Sequence, residues 1–517
     1  MNLVSLLIER AQRHPERIAL AEATRTVTYG ELARRVAAGA GHLEALGLKR
    51  GQTILVFQPV SIELYEFLLA AFHGGLRVML ADPSAGRDFL SRCCQRLMPD
   101  AFFGSWKAQC LRMSVREMRG IGLAIRSGGW FPGAQPWRTD GAPADLVAVD
   151  DQEAALVTFT SGSTGVPKAA LRSHGFLLAQ HRALSRALDF EEGEVDLVTL
   201  PVFVLANLAS GLTSVLAATD LAKPGTPDAA AISAQCGKFR VTRCAASPAF
   251  FEGLLAGGLP RFQKLYTGGA PVFPDLLRRL GDALPVASIY AVYGSTEAEP
   301  IAHFHGDEDA AILTRGGGGL CAGVPVAEIK LRIIADQSGT PLNSPGPAIE
   351  AGQVGEIIVS GEHVLSGYLG GIGDEETKIH EDGRVWHRTG DAGWIDARGR
   401  LWLLGRCAEK LPAYPAAEGL PTEAMRYPFA VECALREIFP EIPTAALNWE
   451  ERRTLVVGKI CAGEEQRAIS ASAEIFGMER VIYLKALPLD RRHNAKIDYP
   501  ALRTLMGEEG GQTSHPP

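Results

Sequence analysis

The chain has 517 residues, 46% of them apolar and 21% charged, with 52 basic against 59 acidic side chains and a net charge of −7. At roughly 100–200 residues per domain this length calls for more than one folding unit, and the apolar content excludes global disorder. So small a charge imbalance gives no case for a nucleic-acid surface or an anionic-membrane surface.

The N-terminal stretch MNLVSLLIERAQRHPER places Glu9 and Arg10 after a short apolar run, which reads as an amphipathic helix rather than a signal peptide. Thr28 with Glu31 fits a capping box, and Leu32, Val36, Ala40 and Leu43 follow at helical spacing. The apolar run Thr53–Phe57 reads as a buried strand, Ile62–Phe72 as a helix and Leu76–Leu80 as another strand. Ala154–Val157 is a further expected strand. The alternation returns with a strand at Asp196–Leu200, a helical run to Ala218, and strands at Val241–Ala245 and Phe262–Thr267. Helices alternating with apolar strands predict an α/β fold of mainly parallel sheets.

The longest uncharged run, Leu197–Thr219, contains Pro201, Asn207, Ser210 and Gly211, so it reads as core or pocket wall and not as a membrane span. No fixed period recurs, which excludes a solenoid. After about residue 350 short strands dominate: Glu356–Ser360, Val385–Arg388, Gly393–Asp396 and Leu401–Leu404. Leu411–Gly419, with Pro412 and Pro415, reads as a linker, Val431–Phe439 as a helix and Thr454–Ile460 as a strand. The expected division is a large N-terminal region of helix-flanked sheets with a small β-rich part, 1–406, a small α+β domain, 407–505, and a disordered tail, 506–517. The nine cysteines form no CxxC pair, which supports reduced thiols in a cytoplasmic enzyme over zinc or a disulfide framework.

The densest chemical signal is Thr158–Lys168, TFTSGSTGVPK, directly after an expected strand. Small hydroxyl residues and glycines leave backbone N–H groups free to surround phosphate oxygens, and a lysine adds charge. The spacing of Gly162, Gly165 and Lys168 does not fit a Walker loop. A flexible surface loop is the plain alternative, and the order of residues with the closing Pro167-Lys168 argues against it.

TFTSGSTGVPK closely resembles the phosphate loop of the adenylate-forming superfamily, which includes acyl-CoA synthetases, luciferases and peptide-synthetase adenylation domains. Other segments resemble the family's motifs in the family's order: Thr28-Tyr29-Gly30-Glu31-Leu32, Tyr293-Gly294-Ser295-Thr296-Glu297, Gly355-Glu356, Gly367-Tyr368, Arg388-Thr389-Gly390-Asp391, Gly405-Arg406 and Asn494-Ala495-Lys496-Ile497. The resemblance runs from Thr28 to Ile497 and implies activation of a carboxylate by ATP and Mg²⁺ with loss of pyrophosphate.

It also implies roles. Thr160, Ser161, Gly162, Ser163, Thr164, Gly165 and Lys168 would hold the β- and γ-phosphates. Glu297 would help hold Mg²⁺, and Thr296 would face the α-phosphate. Gly268, Gly269, Ala270 and Pro271 would meet the adenine, with Tyr293, Gly294 and Ser295 beside them. Asp391 would bind both ribose hydroxyls, Arg406 would sit near ribose and phosphate, and Lys496 would bridge the substrate carboxylate and the α-phosphate. A surface salt bridge is the plain alternative for Asp391 and Arg406, and a solvated lysine for Lys496.

Phe203, Val204, Leu208, Ser247, Phe250 and Phe251 are candidates for the wall of an apolar acyl channel, with ordinary core as the alternative for each. Val204 stands where many relatives carry a histidine.

Ala408 occupies the position of the family's hinge acid or lysine, and Glu409–Pro415 replaces its usual lysine- and glycine-containing segment. Both departures speak against transfer to coenzyme A. The stretches Arg492–Ile497, Tyr427–Glu432 and Leu197–Val215 look more like β-lactone synthetases of bacterial olefin biosynthesis, in which the hydroxyl of a β-hydroxy acid displaces AMP. His493 is a candidate proton acceptor there, or an exposed histidine. The alternatives are acyl transfer to coenzyme A or a carrier-protein thiol, and a non-catalytic acyl-AMP-binding relative. The expected partners are a small carboxylic acid and ATP, with a carrier protein or pathway enzymes beyond them.

Overall fold

The computed structural model describes residues 1–161, 166–306, 318–414, 423–489 and 497–509. Two large sheets, both flanked by helices, carry most of the chain, and a three-stranded sheet comes after them.

The seven-stranded sheet runs in the order Ala134–Pro136, Leu123–Arg126, Ala101–Gly104, Thr53–Phe57, Arg77–Leu80, Ala154–Ser161 and Pro167–Ser173. Its pairings are parallel except the last, a hairpin in which Thr160 pairs with Lys168 and Ser161 with Pro167. One face is packed by Phe67, Phe72 and Phe103, and the other by Phe102, Cys93 and Met118. Strands buried on both faces read as uninterrupted apolar runs, which is why Thr53–Phe57 stands out in the sequence.

The second sheet has fourteen strands. Its parallel half runs from Ile18–Ala21 through Thr213–Leu216, Val195–Val198, Arg243–Ala246 and Lys264–Gly268 to Ser288–Ser295. It turns antiparallel at the hairpin of Ser288–Ser295 with Ala298–His305 and continues through Leu320–Pro325, Leu401–Arg406, Arg384–Ile395, Gly355–Ser360 and Lys330–Ile334. Helix starts are fixed by side-chain caps: Thr28 accepts from the Glu31 amide at 3.2 Å, Ser61 from Leu64 at 3.2 Å and Ser173 from Phe176 at 3.1 Å.

Three expectations are corrected. The helix after Val195–Val198 ends at Ser210, where Gly211 takes a φ of +79°, and Thr213–Leu216 is a strand. A four-residue strand buried on both faces cannot be told from buried helix by periodicity. The strands expected at Val385–Arg388 and Gly393–Asp396 are one strand, Arg384–Ile395, because Thr389-Gly390-Asp391 continues the ladder despite its polar side chains. The helix Tyr499–Glu509 runs past residue 506, where the disordered tail was expected, with Leu502 and Met506 buried against Leu447 and Val456.

The helix Pro428–Ile438 packs Val431 and Leu435 in one core with Ala392 and Leu404, so apolar packing continues across residues 406–407. No helix among the described residues is long and apolar enough to cross a membrane.

Candidate active site

The site lies where the second sheet changes from parallel to antiparallel. Gly268 ends its strand in register with Val292, and a Cβ at Gly268 would stand 2.6 Å from the Val292 carbonyl oxygen. Gly269 follows with a φ of +78°, a conformation that suits glycine. Backbone is therefore bare at the carboxyl ends of adjacent parallel strands, the usual crevice for ligands in α/β sheets.

Thr296 and Glu297 form the two-residue tip of the next hairpin. The tip is held from two sides. Buried Arg172 donates to the Thr296 carbonyl at 2.8 Å, and the Leu365 amide donates to the Glu297 carbonyl at 2.7 Å. The Glu297 side chain accepts from the Tyr368 hydroxyl at 2.7 Å. Tyr368 is itself fixed by a bridge to Ala170 and by its amide on Asp374 at 2.9 Å.

Two lysines approach the Tyr368 ring. Lys168 lies 5.9 Å from its centroid and pairs with Glu376 at 3.1 Å. Lys378 lies 5.5 Å from the same centroid, donates to the Leu365 carbonyl and faces Nδ1 of His387 at 3.1 Å. Burial lowers Lys378 to about 8, against the opposing pull of Glu297 and Asp374. Burial, then the nearby Lys378, holds His387 well below the ordinary imidazole range, and its Nδ1 also faces the Thr377 carbonyl at 3.2 Å.

A second group gathers at Tyr293, on the first strand of the same hairpin. Asp391 and Arg406 are register partners on neighbouring strands, and Arg406 donates to Oδ1 of Asp391 at 2.8 Å. Tyr293 donates to the other oxygen, Oδ2, at 2.7 Å, and the Asp391 amide donates to Oγ1 of Thr389 at 3.0 Å. Burial, then the Asp391 charge, pushes the Tyr293 phenol well above its ordinary range, so it stays a donor. Ser295, between the two groups, has a buried Oγ without a hydrogen-bond partner among the described residues.

Of the residues singled out from sequence, the fold thus joins Lys168 and Glu297 through Tyr368, joins Tyr293, Asp391 and Arg406 directly, and carries Tyr293 through Glu297 on one hairpin. Gly162, Ser163, Thr164, Gly165, His493 and Lys496 lie outside the described residues, while the backbones of Thr160 and Ser161 end the strand that leads to the loop. The channel candidates are dispersed. Phe203, Val204 and Leu208 belong to one core cluster and Phe250 and Phe251 to another, with Ser247 capping the helix of the latter pair. Val204 is wholly buried. An apolar cavity instead lies along Val202, Leu205, Ala206 and Ala209, lined also by Leu177 and Leu184, and it shares only Leu208 with the candidates. Sequence reading missed the roles of Arg172, Glu376, Lys378 and His387, which sit in no motif, and of Tyr368, which stood in the family-like Gly367-Tyr368 segment without a role of its own.

Residues 7–369 match the model of the AMP-binding enzyme family, and the chain belongs to that family. It is an AMP-forming acid ligase. The chain is 32% identical to the olefin beta-lactone synthetase of Xanthomonas campestris, over 96% of each chain. It is 31% identical to that of Stenotrophomonas maltophilia, over 98% of each. The indoleacetate–CoA ligase of Aromatoleum aromaticum is 29% identical over 98% of this chain and 99% of the relative. Among solved structures, ATP-bound MatB from Rhodopseudomonas palustris superposes with a TM-score of 0.78 at 19% identity, covering 98% of this chain and 100% of that one. The amide bond synthetase McbA from Marinactinospora thermotolerans gives 0.79 at 19% identity, with 97% and 99% covered. These structures share the fold.

Proposed function

We propose that the protein uses ATP and Mg²⁺ to adenylate a hydrophobic β-hydroxy acid, whose own hydroxyl then displaces AMP to close a β-lactone. The observation that carries the first step is the single hairpin bearing Tyr293 on its first strand and Glu297 at its tip, each already joined to its partner group.

In this reading Asp391 accepts from the ribose hydroxyls, with Tyr293 and Arg406 holding its carboxylate in place. The bare backbone at Gly268 and Gly269 meets the adenine, and the Ser295 hydroxyl gains a partner at the nucleotide. Lys168 leaves Glu376 for the β- and γ-phosphates, which the hydroxyl and amide groups of the 160–165 loop also meet. Glu297 fits Mg²⁺, which takes few protein carboxylates beside phosphate oxygens and water: Tyr368 occupies Oε1 and leaves Oε2 for the cation. Mg²⁺ bound there would supply charge neutralisation for the departing pyrophosphate. Lys496 bridges the attacking carboxylate and the α-phosphate, and Thr296 faces that phosphate. The segment 407–505 acts as a smaller unit that brings Lys496 to the site.

The second step rests on two supports: full-length similarity to two olefin beta-lactone synthetases, and Ala408. Ala408 sits exposed in a single turn, Cys407–Glu409, and offers no side-chain charge to hold the C-terminal segment in a second orientation. Closure by a hydroxyl within the substrate replaces an external thiol with proximity.

The deciding assay offers a long-chain β-hydroxy acid with ATP and no thiol, with Lys496→Ala as control. Multiple turnover with a lactone in the product mass spectrum supports the reading. AMP release that remains single-turnover until coenzyme A is added rejects lactone closure, and absence of carboxylate-dependent pyrophosphate release in the wild type rejects adenylation.

A further inference from the structure

The net charge of −7 conceals a segment of opposite sign. Between Arg87 and Arg138 there are nine Lys and Arg against three Asp and Glu, a local net charge of +6. Two of the three acids are occupied within the fold: Asp100 accepts from Gln52 at 3.0 Å and from the Thr53 amide at 2.7 Å, and Glu117 from Gln95 at 2.8 Å.

The same segment exposes large apolar side chains. Trp130 is 74% exposed and Trp106 57%. The helix Trp106–Ser114 buries Ala108, Gln109 and Arg112 and turns Trp106, Cys110 and Met113 outward, a stripe at i, i+4 and i+7. Lys107, Arg116 and Arg119 flank that stripe in solvent, and Met98 is exposed as well. The loop that carries Trp130 is shaped, not slack. Arg126 donates to the carbonyls of Gly128 and Gly129, glycines with positive φ stand at 128 and 133, and Phe131 packs edge-on against Trp106 at 6.3 Å.

The position is specific too. Gly104 and Arg126 are register partners at the carboxyl ends of adjacent parallel strands, so Trp106 and Trp130 emerge at one sheet edge. The strand Ala154–Ser161, which leads to the phosphate loop, ends at that same edge, three strand positions from Ala101–Gly104. At the usual spacing between strands this is about 14 Å.

We propose that the outer face of the Trp106–Ser114 helix and the Trp130 loop form a docking surface for an anionic lipid bilayer. The surface is the outer side of a helix together with an exposed loop. Tryptophans beside lysine and arginine suit the headgroup region, where the ring enters the apolar boundary and the cations meet lipid phosphates. Met98, Cys110 and Met113 add flexible apolar surface that suits acyl chains. Docking there brings the proposed adenylation site to the surface in which a long-chain acid dissolves; that consequence rests on the function proposed above, whereas the docking itself does not.

The test uses the full-length protein with vesicles of phosphatidylcholine alone or mixed equally with phosphatidylglycerol, read by co-sedimentation. The wild type binds the anionic vesicles, binds the neutral ones weakly, and releases as salt is raised. The combined change Lys107→Gln, Arg116→Gln and Arg119→Gln lowers affinity roughly 100-fold, as expected for three cations near a charged surface. Trp130→Ala lowers it roughly tenfold. Both variants keep wild-type turnover of a short soluble acid, which reports an intact fold and site. The proposal is overturned if the wild type ignores anionic vesicles at low salt, or if both variants bind as it does. It is equally overturned if Trp130→Ala dissociates an oligomer in the absence of lipid, which would make this face a protein interface. Vesicle binding without any adenylation would reject the function proposed above and leave this surface standing.

Discussion

The Tyr368 hydroxyl donates to Oε1 of Glu297 at 2.7 Å, while Lys168 and Lys378 face the Tyr368 ring at 5.9 and 5.5 Å. One aromatic side chain therefore touches the proposed cation ligand and neighbours a proposed phosphate ligand. Tyr368→Phe keeps the ring and removes only the hydroxyl. It is expected to raise the Mg²⁺ concentration for half-maximal rate roughly tenfold, the usual size for a lost hydrogen bond to a charged group. The acid KM should not change. Titration of the nucleotide complex with Mn²⁺, followed by its paramagnetic signal, checks the same point without turnover.

The ion pair of Lys168 with Glu376 competes with phosphate. Glu376 is 48% exposed, so the pair is weak and screened by salt. Glu376→Gln is expected to lower the KM for ATP about two- to fivefold at low ionic strength and to have less effect at high salt. Lys168→Ala should raise that KM. A rise in KM for Glu376→Gln would place the glutamate on the side of nucleotide binding instead.

Asp391 is the acceptor shared by Tyr293 and Arg406, and in the proposed site by the ribose. Asp391→Asn keeps the shape, exchanges one acceptor for a donor and removes the charge. A loss of about 100-fold in kcat/KM for ATP is expected, against a much smaller loss for deoxyadenosine triphosphate, which lacks one of the hydroxyls. Equal losses for both nucleotides would remove Asp391 from the ribose.

Val204 is wholly buried in the main core, so Val204→Trp overpacks it. The expected cost is about 1–3 kcal/mol, seen as a lower Tm, with the preference among acid chain lengths unchanged. A changed preference at unchanged Tm would restore the acyl channel at this position.

Buried Glu432 accepts from the Tyr499 hydroxyl at 2.6 Å and from the Ala446 amide at 2.9 Å. Burial outweighs both bonds and raises its pKa from 4.5 to about 7. Below the lower value both folded and unfolded chains carry the proton. Between the two values the folded chain binds more protons, so stability falls as pH rises through this window, and the full cost stands above it. That cost is on the order of 3 kcal/mol. Glu432→Gln should flatten this part of the stability profile, measured by urea unfolding at a series of pH values.

The sequence was legible where chemistry demands an ordered set of residue types. Asp391, Arg406 and Glu297 stood out in motifs, and the structure puts each beside a polar partner. Their pairing was not legible, because Asp391 and Arg406 meet through strand register and Tyr368 reaches Glu297 across 71 residues of chain. Lys378 and His387 were invisible for the same reason: a lone lysine and a lone histidine carry no periodicity, and only the fold buries them together. The strand Thr213–Leu216 was read as helix because burial on both faces erases the alternation that marks a strand. The acyl wall was the least legible, since apolar side chains look alike whether they fill a core or line a cavity.

The pairing of Asp391 with Arg406 sits at the last position of its strand, one residue before the chain turns at Cys407. A carboxylate accepts several hydrogen bonds at once, so in the proposed site this arginine orients the group that would meet the nucleotide. Linkage would then run in both directions: nucleotide bound at Asp391 would steady the end of the strand, and a movement that drew Arg406 away would weaken the hold on nucleotide. If Asp391 holds the ribose as proposed, nucleotide meets the chain one strand position from where the C-terminal segment begins.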